Sequence, residues 1–326
     1  MALLEVESLT IGYRTKKGLH RAVEGISFSL EEGRSLGFVG ESGCGKTTVG
    51  MALMGLLPPN GVVLGGRVIF EGRDLLTLPE EELRRLRWKS ISMIFQAAMN
   101  ALNPVKKVAD QVAEAILAHS PAMARSDAMR QVEGLFQLVG VPKDRMRDYP
   151  HQYSGGMRQR AIIAMALACK PRLIIADEPT TALDVIVQDQ ILQETRVLQE
   201  QFGISIIFIS HDISIVADVC HDIGIMYAGE LVEYGSREKV FSAPAHPYTR
   251  ALLSSFPNLT GKKEKLKPIA GEPPNLVEPP EGCRFCGRCP RALSECGASP
   301  PGWVEISPLH KVRCFGFQGG QGSNEG

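Results

Sequence analysis

The sequence predicts an α/β protein on three observations. The continuous apolar runs Leu173–Asp177 and Ile204–Ser210 read as strands of a parallel sheet covered by helices on both faces. A glycine-rich turn at residues 40–47 follows the short apolar strand Ser35–Val39 and runs into a helical stretch. From Val105 to about Asp148, apolar residues recur at helical spacing (Val108, Val112, Ile116, then Val132, Leu135, Leu138), which predicts a helical insertion. The chain has 326 residues, of which 44% are apolar and 22% charged. That length is enough for about two domains, and the mix is that of a globular protein with a sizeable core.

Taken in order, the first elements are strands over Glu5–Tyr13 and Gly25–Leu30, closed by Glu31-Glu32-Gly33. They predict an antiparallel β subdomain. After the strand Ser35–Val39, a helix is expected over Thr47–Leu57, stopped by Pro58-Pro59. Gly65–Leu75 reads as a hairpin, Leu78–Lys89 as a helix with its charges outward, and Ile91–Gln96 as a strand. Ile223–Glu233 predicts a final strand pair. Beyond Phe256 the run PNLTGKKEKLKPIAGEPPNLVEPP has too few apolar residues for a core and reads as an ordered linker or strap. The last eight or so residues are expected to be disordered.

Lys and Arg together number 36 and Asp and Glu 36, so no net field draws the chain to nucleic acid or an anionic bilayer. The longest apolar stretches, such as Ala161–Cys169, are far short of the roughly 20 residues that span a membrane. The N-terminus carries Glu5 and Glu7 and has no basic region before an apolar segment, unlike a signal peptide. A cytosolic protein is expected.

Gly40-Glu-Ser-Gly-Cys-Gly-Lys-Thr47 fits the phosphate-loop pattern GxxxxGK[ST]. Gly40, Gly43 and Gly45 let backbone N–H groups turn inward around phosphate oxygens, with the following helix adding its positive end. Ser42, Cys44 and Thr48 complete the expected nucleotide-contacting set. Lys46 reaches β- and γ-phosphates, and Thr47 offers a hydroxyl to Mg²⁺. Leu173-Ile-Ile-Ala-Asp177-Glu178 is an apolar strand ending in two carboxylates. Asp177 is placed to hold Mg²⁺ and Glu178 to polarise the attacking water. These two motifs predict a nucleotide hydrolase.

Tyr153-Ser154-Gly155-Gly156-Met157-Arg158-Gln159-Arg160 resembles the signature motif of ATP-binding-cassette (ABC) ATPases, with Met157 in place of the usual Gln. The resemblance extends over residues 1 to about 250. Gln96 matches the Q-loop, Ala182-Leu183-Asp184 the D-loop and His211 the switch histidine, while Tyr13 stands where the family stacks a ring on adenine. It implies a P-loop NTPase fold of cassette type, with an antiparallel β subdomain and a helical subdomain at about 97–160. It also implies two cassettes sandwiching ATP, so that Ser154, Gly155, Gly156 and Met157 serve the partner's nucleotide. Lys46, Gln96, Glu178 and His211 are the implied catalytic set, with Mg²⁺ held through Thr47, Gln96 and Asp177.

The strings AHPYTRALLSSFP (245–257) and IAGEPPNLVEPPEGCRFCGRC (269–289) resemble the C-terminal extension of the ATPase subunits of oligopeptide, dipeptide and nickel importers. So does the stretch Phe95–Pro104, although Ala97-Ala98 replaces the more usual Asp-Pro. The boundary implied is a cassette at 1–255 and an extension at 256–326. The implied function is ATP hydrolysis coupled to peptide uptake, at the cytoplasmic face of the membrane. The implied partners are a related second ATPase subunit, two membrane permease subunits and, indirectly, an extracytoplasmic binding protein. Nickel or oligosaccharide uptake are alternatives. A soluble cassette ATPase acting on nucleic acid or ribosomes is the rival class, and the single cassette and zero net charge speak against it. Intact Glu178 and His211 speak against a regulator without hydrolysis.

Five of the eight cysteines, Cys283, Cys286, Cys289, Cys296 and Cys314, fall within 32 residues. In a cytosolic chain such a cluster reads first as a metal or cofactor site. Some members of the resembling subgroup bind a [4Fe–4S] cluster through cysteines spaced C-x5-C-x6-C-x17-C, the spacing of Cys283, Cys289, Cys296 and Cys314. Cys286 adds a second choice of ligands, and four thiolates also suit zinc. Absence of any metal is the third alternative.

Overall fold

The computed structural model describes residues 2–96, 101–181, 183–255 and 269–318. Ala97-Ala98, Ala182, the first part of the strap and the C-terminal tail lie outside the described residues. The chain divides into two compact units, one of residues 31–34 and 75–209, the other of 2–30, 35–74 and 210–326.

The second unit holds the N-terminal strands. β1 (Ala2–Thr15) and β2 (Gly18–Glu31) are each longer than the sequence suggests, and they join β4 (Gly61–Phe70) and β5 (Arg73–Asp74) in a sheet of order β2-β1-β4-β5. Alternating burial of Leu4, Val6, Val68 and Phe70 gives this antiparallel layer one core-facing side. The same unit holds β3 (Ser35–Val39), every residue of which is buried. β3 lies parallel to β9 (Asp222–Tyr227), which turns into antiparallel β10 (Glu230–Ser236), the expected final strand pair.

The helix after β3, α1, spans Lys46–Leu53, four residues short of the expected end at Leu57. Gly55 stops it. With φ 61° it receives the left-handed turn that a side chain resists, and the Leu56 and Gly55 amides bond back to Met51 and Ala52 carbonyls. The prolines come too late to act.

In the first unit, β6 (Ile91–Ile94), β7 (Leu173–Asp177) and β8 (Ser205–Ser210) form a parallel ladder in the order β6-β7-β8. Both later strands are buried throughout, as their unbroken apolar runs require. The expected helix at 78–89 shortens to α2 (Glu80–Leu86). The helical insertion is α3 (Val108–His119) and α4 (Arg125–Leu138), packed with α5 (Gly155–Leu167). Val108, Val112, Ile116 and Val132 are core residues as expected. The buried stripe continues through Phe136 and Val139, four and seven residues on, so Leu135 and Leu138 fall at its edge and are only half-buried. No helix among the described residues is long and apolar enough to cross a membrane.

The C-terminal segment brings two strands that the sequence reading does not assign. β11 (Val304–Ser307) and β12 (His310–Val312) form a hairpin, and β12 pairs antiparallel with β10. A buried carboxylate fixes this join. Glu233 on β10 accepts the amides of Ala245 (2.9 Å) and His246 (2.8 Å) and meets His310 Nε2 at 2.7 Å. His246, 1% exposed, caps α9 (Pro247–Ser254) by accepting the Tyr248 amide on Nδ1.

Burial pushes the His246 pKa down to about 4 from its usual 6.5. The unfolded chain therefore takes up the proton first as pH falls. This contribution to stability is complete above about pH 6.5 and is lost as pH drops towards 4, by roughly 3 kcal/mol. Urea unfolding of wild type and His246→Asn, which keeps a capping oxygen, should show a shallower acid slope for the variant.

Candidate functional site

The phosphate loop leaves β3 at Gly40 and enters α1 at Lys46. A Cβ at Gly40 would stand 2.0 Å from the Met226 carbonyl, and one at Gly45 2.3 Å from the Ala22 carbonyl, where φ is also 102°. The chain must therefore carry glycine at both points to pass its neighbours. Ser42 and Gly43 are exposed at the crown, while Cys44, Gly45 and Lys46 are buried. Lys46 Nζ donates to the carbonyls of Gly40 (2.7 Å) and Glu41 (3.0 Å). Thr47 is exposed at the start of α1, and Thr48 Oγ1 lies 3.0 Å from Tyr13 Oη. Tyr13, half-buried, thus sits beside the loop. His211 is exposed at the head of the segment that leads into α7 (Ile213–Val219), whose N-terminus Asp212 caps.

In the other unit, Asp177 ends β7 with 1% exposure, and Glu178 follows it in the left-handed region at φ 48°. A glutamate held there is strained, a condition that concentrates at working sites. Gln96 Nε2 donates to Glu178 Oε2 at 2.9 Å, and Thr181 Oγ1 donates to the same oxygen at 3.1 Å. The structure thus brings Gln96 and Glu178 together and adds Thr181, which sequence reasoning missed. Ser154 is the N-cap of α5, its hydroxyl accepting the Met157 amide at 3.2 Å, and Gly155 and Gly156 form the first turn. Gly156 lies close under Val187, where a Cβ would be 2.9 Å from Cγ1. Asp184 caps α6 (Val185–Phe202) by accepting the Val187 amide.

The five clustered cysteines line one cavity of about 230 Å³, together with His246, Arg250 and Phe285 among others. The Leu293 amide donates to Cys296 Sγ at 3.4 Å. Burial pushes Cys283 up to about 11 and raises Cys289 and Cys314. Among the described residues no three His, Cys, Asp or Glu side chains are arranged to hold a metal ion. Zinc, the alternative to the expected cluster, has no direct support from this arrangement. The same arrangement gives the expected iron–sulfur cluster no direct support.

Arg288 and Tyr248 also belong to the loop's surroundings and were not named as site residues from sequence. Glu41, inside the phosphate loop, meets Arg288 and Tyr248. A carboxylate in an anion-binding loop was the visible signal, but its partner stands 247 residues away.

Burial raises the Cys44 thiol, against the opposing pull of Lys46, and raises Cys220 well above its usual range. Both should stay unalkylated by iodoacetamide in the native chain at neutral pH and react once urea is added, as read by mass spectrometry. Native labelling of Cys44 would show that the loop opens.

Residues 23–181 match the family described as ABC transporter, and residues 232–296 match the one described as oligopeptide/dipeptide transporter, C-terminal region. The chain is 46% identical over 316 residues to the dipeptide transport ATP-binding protein DppD of Bacillus subtilis (strain 168), covering 96% of this chain and 94% of that protein. It is also 46% identical over 316 residues to the oligopeptide transport ATP-binding protein OppD of Escherichia coli (strain K12), covering 96% and 93%. Among solved structures, the ATP-binding cassette MJ0796, dimeric in a post-hydrolysis state with ADP and Pi, matches with a TM-score of 0.65 at 25% identity over 72% of this chain and 98% of that one. The cbiO1 protein of Clostridium perfringens, part of the ABC transporter complex cbiONQ, gives 0.64 at 27% identity over 74% and 91%. The expected cassette fold with mixed α/β sheets is borne out by these likenesses. A phosphate loop entering α1, a signature turn capped by Ser154 and similarity along almost the whole sequence lead to one conclusion: the chain belongs to the ABC transporter family, as one of its ATP-hydrolysing cassette subunits.

Proposed function

We propose that this subunit powers the uptake of di- and oligopeptides through separate permease subunits, bound peripherally at the cytoplasmic face of the membrane. The observation that carries the reading is the 46% identity to dipeptide and oligopeptide transport ATP-binding proteins over 96% of the chain, including the C-terminal region.

ATP binding draws Lys46 Nζ from the Gly40 and Glu41 carbonyls onto the β- and γ-phosphates, while the loop amides and the α1 N-terminus hold the rest of the charge. Tyr13 stacks on the base. Thr47, Gln96 and Asp177 are hard oxygen donors suited to Mg²⁺, which neutralises phosphate charge when bound. Glu178 polarises water, with Gln96 and Thr181 fixing its carboxylate, and His211 bonds the γ-phosphate. Ser154, Gly155, Gly156 and Met157 offer the amino end of α5 to the nucleotide of a second cassette subunit, a related chain. The apolar pair Val185 and Ile186 beside Asp184, 80% and 82% exposed, supports a partner on that side. Closure and reopening of the pair move the permease. Its dock is the helical segment after Gln96, where Val105 is 79% exposed.

We infer a [4Fe–4S] cluster, with zinc the alternative, because the five cysteines line one cavity of about 230 Å³ and four thiolates suit either group. Cys283, Cys289, Cys296 and Cys314, all on the wall of that cavity, are the inferred ligands, with Cys286 in reserve.

Cells lacking this chain should lose uptake of labelled oligopeptide and regain it with wild type but not with Glu178→Gln, whose ATP turnover falls at least about 10²-fold while ATP binding persists. Restored nickel uptake with peptide uptake unaffected would overturn the peptide reading. Anaerobically purified chain should carry about four irons and broad visible absorbance, lost in Cys314→Ser and kept in Cys286→Ser. Stoichiometric zinc without colour would retire the cluster.

A further inference from the structure

The geometry points to Arg288 as a positioning residue for nucleotide binding, acting through Glu41 of the phosphate loop. Arg288 lies between Cys286 and Cys289, and every nitrogen of its guanidinium is engaged. Nη1 donates to Glu41 Oε2 at 2.7 Å and Nη2 to Glu41 Oε1 at 2.9 Å, a bidentate pair. Nη1 also reaches Tyr227 Oη at 3.2 Å, while Nε and Nη2 donate to the carbonyls of Ala270 and Ile269. The side chain is 6% exposed, so the pair is shielded from water on the arginine side.

Glu41 is held at every polar group. Its carboxylate is clamped by Arg288, its amide donates to Tyr248 Oη at 2.9 Å, and its carbonyl accepts Lys46 Nζ. It is the first residue after Gly40, so its position sets where the next loop amides point. It is also a negative charge, 27% exposed, in a loop built to receive a polyphosphate. Arg288 offsets that charge and fixes its direction. Without it the loop would carry an uncompensated carboxylate beside incoming phosphates, and Glu41 would be free to swing. The cysteine-rich segment thereby acts on nucleotide affinity without touching nucleotide.

This inference rests on the loop binding ATP, and the experiment separates the two. MgATP binding to the full chain is measured by calorimetry for wild type, Arg288→Gln, Arg288→Lys, Glu41→Gln and the double variant Arg288→Gln/Glu41→Gln. In the assembled transporter, KM and kcat for ATP are followed in parallel. Arg288→Gln should raise Kd and KM about tenfold with kcat within about twofold of wild type, since the water-activating groups are untouched. Arg288→Lys should recover part of the affinity. The double variant should bind more tightly than Arg288→Gln alone, because removing the stranded charge relieves the repulsion. A Kd for Arg288→Gln within about twofold of wild type overturns the proposal, as does a double variant no tighter than the single. If Arg288→Gln fails to fold, unchanged Kd in both Arg288→Lys and Glu41→Gln also overturns it. Failure of wild type to bind MgATP would instead strike the nucleotide reading itself.

Discussion

A loop that binds phosphate with its own amides must be held open by something other than its ligand, and much of the second unit answers that constraint. The course of residues 40–47 is set where the chain passes the carbonyls of Met226 and Ala22 too closely for any Cβ at Gly40 and Gly45. Both carbonyls are fixed: Met226 lies in β9, hydrogen-bonded beside β3, and Ala22 lies in β2. Strand pairing and loop shape are therefore one problem. A shift of β9 along β3 would move the wall against which Gly40 is pressed.

The parts of the fold set by local pattern were legible, and those set by distant partners were not. β7 matches its apolar run and β8 starts one residue inside its own, at Ser205, because burial on both faces selects an unbroken apolar centre. The phosphate loop, the signature turn and the acidic strand end were found because their chemistry is carried by adjacent residues. Helix ends were read less well. Pro58-Pro59 looked like the stop of α1, yet Gly55 closes it first, since a glycine at the C′ position satisfies the last carbonyls at no steric cost. Within α4, Leu135 and Leu138 fit the period as well as Phe136 and Val139 do, and only the packing against α3 and α5 chooses the stripe.

The strands β11 and β12 went unseen for a different reason. Three or four residues among prolines and cysteines carry no alternation to read. They exist because β10 offers an edge and because Glu233, with no solvent exposure, demands His310 as well as two amides. In the candidate site the same division holds. Glu178 was legible as a residue type, whereas the strain at φ 48° and the two donors on its carboxylate came from the fold.

The C-terminal segment shows how a stretch poor in apolar residues can still be seated firmly. In Cys283-Arg-Phe-Cys-Gly-Arg-Cys289 the cysteines line the cavity, and the three large residues between them all reach the body of the unit. Arg284, 5% exposed in its side chain, donates to the Ala228 carbonyl and pairs with Glu24 at 3.3 Å. Phe285, 1% exposed, packs with Tyr227 and Tyr248 at ring separations of 5.1 and 5.4 Å. Arg288 reaches the phosphate loop. A buried arginine left without its carboxylate costs several kcal/mol, of order 3–5, so each anchor holds only while the segment keeps its conformation. Gly282, where a Cβ would stand 2.2 Å from the Cys296 carbonyl, ties that conformation to the next cysteine along. A group bound at the thiols would stabilise the anchors, and through Arg288 the anchors reach the phosphate loop.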